Sequence, residues 1–183
     1  DFAGETDTLE ALLTVPNWNG QGERIVAAGS SRTDSSTLTA DFAAAIFSSS
    51  GQVGIVFGTS GSATFHLSAG SRDEATDVLL WQGQLVLAGF SGTFNTATNA
   101  DFALLGVDLN GQPIADFSVD GSSTLIDFFG SADEAQAVVA GMNDLTVVGT
   151  VVDPLLPNFL SQLTGLSRLS DVENLFMDGF ESP

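Results

Sequence analysis

A fixed internal period constrains this chain more than any other property it has. Setting Asp41-Phe42-Ala43 over Asp101-Phe102-Ala103 and reading on without a gap to Phe90 and Thr150 gives 17 identities in 50 positions, at a constant offset of 60. They fall on turn glycines and apolar points: Gly51/Gly111, Phe57/Phe117, Gly61/Gly121, Gly70-Ser71/Gly130-Ser131, Asp73-Glu74-Ala75/Asp133-Glu134-Ala135, Val78/Val138, Leu85/Leu145 and Gly89/Gly149. A period of this length marks solenoids, propellers and arrays, in which one supersecondary unit is stacked on copies of itself.

Within one period the pattern breaks into four short strands. Phe42 to Phe47 ends at Ser49-Ser50-Gly51, and its twin, Phe102 to Leu109, ends at Asn110-Gly111, a pair that supplies the positive φ angles of a hairpin tip. Ser62 to Leu67 and Ser122 to Phe128 form the second strands, Ala75 to Trp81 and Ala135 to Gly141 the third, and Gln84 to Ala88 and Asp144 to Val148 the fourth. Four strands per unit is the signature of a propeller blade, a small antiparallel sheet. The reading is therefore all-β: a β-propeller-like array of four-stranded antiparallel blades.

The edges of the repeat set the blade count. Arg24-Ile25-Val26-Ala27-Ala28-Gly29 lies 60 residues before Gln84 to Gly89 and supplies a third copy of the last strand. Glu10-Ala11-Leu12-Leu13 echoes Glu74-Ala75 four residues out of register, with the insertion placed around Pro16-Asn17-Trp18-Asn19-Gly20. The expected organisation is a partial blade over 1–40, blades over 41–100 and 101–150, and a divergent tail over 151–183. In the tail, Asn158-Phe159-Leu160 weakly echoes Asp101-Phe102-Ala103, while Ser170-Asp171-Val172-Glu173 has capping-box spacing and favours a short helix through Met177 equally well. About three blades' worth is too few for a ring, since propellers close with roughly four to eight. Open strand edges recruit neighbours, so a homo-oligomeric ring or a filament is expected.

Composition narrows the partners. Twenty-three acids face four bases, all arginine, for a net charge of −19. Such a chain repels phosphate backbones and anionic lipid, which excludes nucleic-acid binding. No apolar run approaches the 18 or so residues of a membrane span. There is no cysteine, hence no disulfide or thiolate metal site. Asp1 in place of Met fits a processed secreted chain or a trimmed fragment, and the Ser/Thr/Gly/Asn-rich linkers favour export to the outside of the cell or its surface.

The pattern Asp-Phe-Ala … Asn-Gly … Phe-x-x-x-Gly … Gly-Ser-x-Asp-Glu-Ala … Leu-x-Val-x-Gly resembles the bacterial delta-60 repeat, a β-propeller-like repeat of large secreted or surface proteins. The resemblance covers Asp41 to Thr150 well and Glu10 to Gly29 partly. It departs at Ser49-Ser50-Gly51 and Leu109-Asn110-Gly111, where that family has Pro-Asp-Gly, and in lacking lysine before the last strand. The ending Leu175-Phe176-Met177-Asp178-Gly179-Phe180-Glu181-Ser182 is similar to a C-terminal tag on exported proteins of Gram-negative bacteria. The resemblance implies fold and export and carries no catalytic residues.

Candidate chemistry is sparse. His66 is the sole histidine; its ungapped twin is Ile126, which favours packing over catalysis, and a triad or zinc site lacks partners. Asp73-Glu74 and Asp133-Glu134 are the best acid pairs, read functionally as weak calcium ligands. Their repetition favours a structural role, the aspartate capping backbone N–H groups. Asp108-Leu109-Asn110-Gly111 reads as a turn. Trp18 beside Asn19, and Trp81, are candidates for stacking on a sugar ring, against the simpler role of core filler. The sequence thus favours a secreted, non-enzymatic structural repeat protein that self-associates, with a lectin-like glycan-binding module as the alternative and calcium as the one cofactor to consider.

Overall fold

The computed structural model describes residues 6–32, 39–54, 56–68, 70–93, 99–114, 123–128, 130–153, 155 and 162–170. Within them the chain is all-β, with three antiparallel sheets of four, four and three strands and no helix. The first sheet holds β1 (Asp7–Val15), β2 (Arg24–Ser31), β3 (Asp41–Ser48) and β4 (Ser62–Phe65). The second holds β5 (Ser71–Trp81), β6 (Gln84–Thr93), β7 (Ala100–Val107) and β8 (Ser123–Ile126). The third holds β9 (Asp133–Ala140), β10 (Asp144–Val152) and β11 (Gln162–Ser170). Strands consecutive in sequence are neighbours in every sheet, so each is a meander.

The sheets gather these strands half a period away from the grouping the sequence suggests. The first two strands do not open an incomplete blade; they pair onto β3 and β4 in one four-stranded sheet. A tandem repeat has no phase of its own, and hydrogen bonding supplies one. The Ser/Thr-rich stretches at 33–38 and 94–98 join strands of the same sheet, while the sheet-to-sheet passages are the short turns before Ser71 and Asp133. The tail contributes a strand: β11 pairs with β10 with Thr164 opposite Thr150, the place that Phe102 takes opposite Phe90. Phe159 and all but the first residue of the capping-box segment lie outside the described residues.

Register makes the three sheets superimposable. Asp7 faces Ser31, Asp73 faces Ser91 and Asp133 faces Val151, so the first strand of the first sheet sits six residues out of register with β5, not four, and Thr8-Leu9 rather than Glu10-Ala11 stand for Glu74-Ala75. The β1–β2 hairpin absorbs this with Pro16–Glu23, as the insertion at Trp18 anticipates, where β5 and β6 are joined by Gln82-Gly83 alone, both at positive φ. Each first strand carries a β-bulge at the same point, at Glu10, Thr76 and Gln136. Opposite stand Gly29, Gly89 and Gly149, where a Cβ would collide with the carbonyl oxygens of Thr8, Glu74 and Glu134. That collision explains why glycine recurs there.

The sheets stack front on back, because successive residues of a strand point to opposite faces. The second sheet presents Ala75, Val78, Leu85, Leu87, Ala103 and Leu105 to the first sheet's Val26, Ala28, Phe42, Ala44 and Ile46. Its other face sends Trp81, Val86, Ala88, Phe102 and Leu104 against Ala135, Val138, Leu145 and Val147 of the third. Contacts run from the first sheet to the second and from the second to the third, and the described strands do not close into a ring.

Candidate functional site

One cluster of ionisable side chains sits at each seam between sheets. Asp73 enters the first seam from β5 and is fully buried. Its Oδ2 accepts the Leu67 N–H at 2.9 Å and its Oδ1 the Ser91 hydroxyl at 2.6 Å. Asp133 enters the second seam from β9, also fully buried. Its Oδ2 accepts the Phe128 N–H at 2.8 Å and its Oδ1 the Val152 N–H at 3.4 Å. In both, a carboxylate from the first strand of one sheet holds the chain just leaving the last strand of the preceding sheet. Acceptance of a backbone N–H by a charged oxygen is among the stronger hydrogen bonds a protein makes.

Around each clasp two further groups gather. Asp41, His66 and Asp73 place ligand atoms within 4.8 Å of one another, as do Asp101, Asp127 and Asp133. The ungapped repeat pairs His66 with Ile126, and the register corrects this. Phe42 faces Phe65 whereas Phe102 faces Ile126, so β8 lags by one residue and Asp127 takes the place of His66. The residue replaced by isoleucine is Phe65; His66 is exchanged for a carboxylate. Packing is therefore not its role. His66 Nδ1 lies 2.8 Å from Asp41 Oδ1.

The exchange alters the electrostatics. At the second seam three carboxylates crowd together, and burial raises the Asp133 pKa to about 6 against the opposing pull of its two backbone N–H donors, with Asp127 and Asp101 adding to the rise. Asp101 is also raised, by burial first and by Asp127 second. Asp133 thus holds its proton up to about pH 6, where an ordinary carboxyl releases it near 4. The same three oxygens are where a hard cation would find carboxylates, though a calcium ion takes roughly six to eight oxygen ligands.

Of the acids singled out in sequence, Asp73 and Asp133 enter the clusters and Glu74 and Glu134 do not. Neighbours along a strand point to opposite faces, so an Asp-Glu pair cannot converge on one ion. Glu74 instead accepts from Arg72 Nε at 2.6 Å, and Glu134 is exposed. Asp41, Asp101 and Asp127 were not anticipated, and His66 was expected only to pack, although the identical Asp41/Asp101 pair opening each repeat was a signal for two of them. Asp108 is a turn residue as expected: its Oδ1 accepts the Asn110 and Gln112 N–H groups at 2.9 and 2.8 Å.

The aromatic candidates are buried. Trp18 is 0% exposed and meets Phe57 edge to face at 6.0 Å between centroids. Trp81 packs in the second seam and its Nε1 donates to the Gly141 carbonyl at 3.2 Å. Neither indole offers a face to a sugar ring; only Asn19, in the hairpin loop at φ 49°, is exposed. A cleft of about 380 Å³ runs along β4, lined by Gly58-Thr59, Ser62–Phe65 and Gly111–Pro113. It holds hydroxyls but no carboxylate, imidazole or amine.

No protein-family profile matches the sequence, and no characterised protein is significantly similar to it. The likeness to the delta-60 repeat therefore stands on the residues quoted for it.

Proposed function

We propose that this chain is a secreted or cell-surface, non-enzymatic β-repeat protein of delta-60 type, whose sheets are blades of a propeller-like array and whose role is structural, through self-association into a ring or filament. The observation that carries this reading is the repetition of one interface. Both seams join a front face to a back face and both are clasped by the equivalent aspartate, Asp73 or Asp133, on a backbone N–H of the preceding sheet. A unit that mates with its own copies is built for extension.

Two further observations support it. Among the described residues the buried acid of each cluster, Asp73 or Asp133, is engaged in holding sheets together, and the cleft along β4 is lined by no carboxylate or imidazole. The lectin-like alternative loses its platforms with the burial of Trp18 and Trp81.

Light scattering across a concentration series, followed by negative-stain microscopy, tests the proposal. Rings or filaments are expected. A compact monomer at every concentration would remove the case for self-association.

A further inference from the structure

Asparagine is followed by glycine twice in the chain, at Asn19-Gly20 and Asn110-Gly111. The dipeptide is chemically labile. Glycine has no side chain to shield its amide nitrogen, so that nitrogen can reach the asparagine carboxamide and close a cyclic imide. The two copies sit in turns of different construction, and their surroundings set their reactivities apart.

Asn110-Gly111 ends its turn. The Gly111 N–H donates to the Asp108 carbonyl at 3.0 Å, and the Asn110 carbonyl accepts the Gly58 N–H at 2.8 Å. The carboxamide is held as well, Nδ2 donating to Asp108 Oδ2 at 3.3 Å. Gly111 is buried, and a Cβ there would lie 2.6 Å from the Gly58 nitrogen and 3.3 Å from the Phe57 ring. Nucleophile, carboxamide and the peptide between them are all tied down.

Asn19-Gly20 occupies the centre of its turn. Both residues have positive φ, 49° and 75°, the arrangement of a type I′ turn. Gln21 N–H closes it on the Trp18 carbonyl at 2.8 Å, and buried Trp18 anchors the loop through its own N–H on the Gly22 carbonyl at 2.9 Å. Those bonds use neither the Gly20 N–H nor the Asn19 carboxamide. Both central residues are exposed, and a Cβ on Gly20 would meet nothing within 4 Å.

We infer that Asn19 is a site of spontaneous deamidation, with the Gly20 nitrogen as nucleophile, and that Asn110 is protected. The Gly20 nitrogen gives its proton to water and bonds to Asn19 Cγ; the Cγ–Nδ2 bond breaks and the amide group, reprotonated by water, leaves as ammonia. Water then opens the imide. Breaking the new N–Cγ bond gives aspartate, and breaking the bond to the Asn19 carbonyl carbon gives isoaspartate. Either product adds a carboxylate, so each chain gains negative charge with time at the tip of the β1–β2 hairpin.

The test keeps the full chain at mildly alkaline pH, with circular dichroism to confirm that it stays folded, and samples it over time. Cleavage after arginine separates the two sites, Asn19 in the fragment that ends at Arg24 and Asn110 in the one between Arg72 and Arg168. The mass gain of amide-to-acid conversion is read in each. Asn19 converts roughly tenfold faster, because Asn110 must first lose its hydrogen bonds. In urea, where both turns are lost, the two rates converge. Asn17 shares the first fragment, so Asn19→Gln, whose longer side chain closes a ring less readily, is the control and stops the conversion there. Equal rates in the folded chain, a faster Asn110, a folded Asn19 that does not convert, or conversion that persists in Asn19→Gln would each overturn the inference.

Discussion

Between the first and second sheets Trp18 and Phe57 meet edge to face in an apolar core, and His66 sits beside Asp41 at the rim. Between the second and third, side chains reach across to backbone: Thr76 Oγ1 donates to the Ala135 carbonyl at 2.7 Å, Asp77 Oδ2 accepts the Val138 N–H at 2.9 Å, and Trp81 bonds Gly141. At this rim a third carboxylate replaces the imidazole. The two seams share their clasp and the neighbouring Asp41 or Asp101, and differ in the third group beside it. What the fold requires at this junction is the buried carboxylate on a backbone N–H; the compensating charge is free to vary.

Removing the clasp breaks the comparison most sharply. Asp73→Ala strips the acceptor from Leu67 N–H and Ser91 and costs about 3 kcal/mol, as the loss of a buried charge-assisted pair does. Asp133→Ala costs about 1 kcal/mol, because it also relieves the crowding with Asp101 and Asp127. Urea denaturation of the two variants measures the difference; equal losses would mean that the carboxylate cluster is not under electrostatic stress.

A smaller effect separates the seams by acidity. Asp133 holds its proton up to about pH 6 in the folded chain, whereas the unfolded chain releases it near 4. The native state therefore binds more protons between these values, and stability falls as pH rises through the window. The contribution is complete below about pH 4 and lost above about pH 6. Two pKa units set a ceiling of about 3 kcal/mol, which solvent screening through exposed Asp127 reduces to about 1 kcal/mol. Melting curves between pH 4 and 8 should show this decline in the wild type and its flattening in Asp133→Asn, whose amide oxygen still accepts from Phe128.

The mildest change is His66→Ala. It deletes a half-exposed pair with Asp41 and costs about 0.5 kcal/mol. A loss of several kcal/mol on thermal denaturation would show that the imidazole has the same weight as the clasp itself.

The strands were legible in the sequence because glycine and apolar positions recur at a constant offset, and nearly all of them fell where the pattern put them. Their grouping was not, since a period identifies copies without saying where one sheet stops. The pairing of His66 with Asp127 was hidden by two compensating one-residue slips, one before β8 and one after it, that leave the flanking identities in phase. The exclusion of Glu74 and Glu134 from the clusters was readable from strand alternation alone. β11 was obscured because Thr164 occupies the phenylalanine slot that elsewhere marks the strand.

The bulges at Glu10, Thr76 and Gln136 act as parity switches. Side chains in a strand keep even or odd step, so Asp73 and Val78, five residues apart, belong on opposite faces of a regular strand. The extra residue at Thr76 shifts the count by one and brings both to the front, the acid to the clasp and the valine to the core. Drawn into regular pairing, Thr76 would leave the sequence unchanged, yet it would turn half the strand inside out.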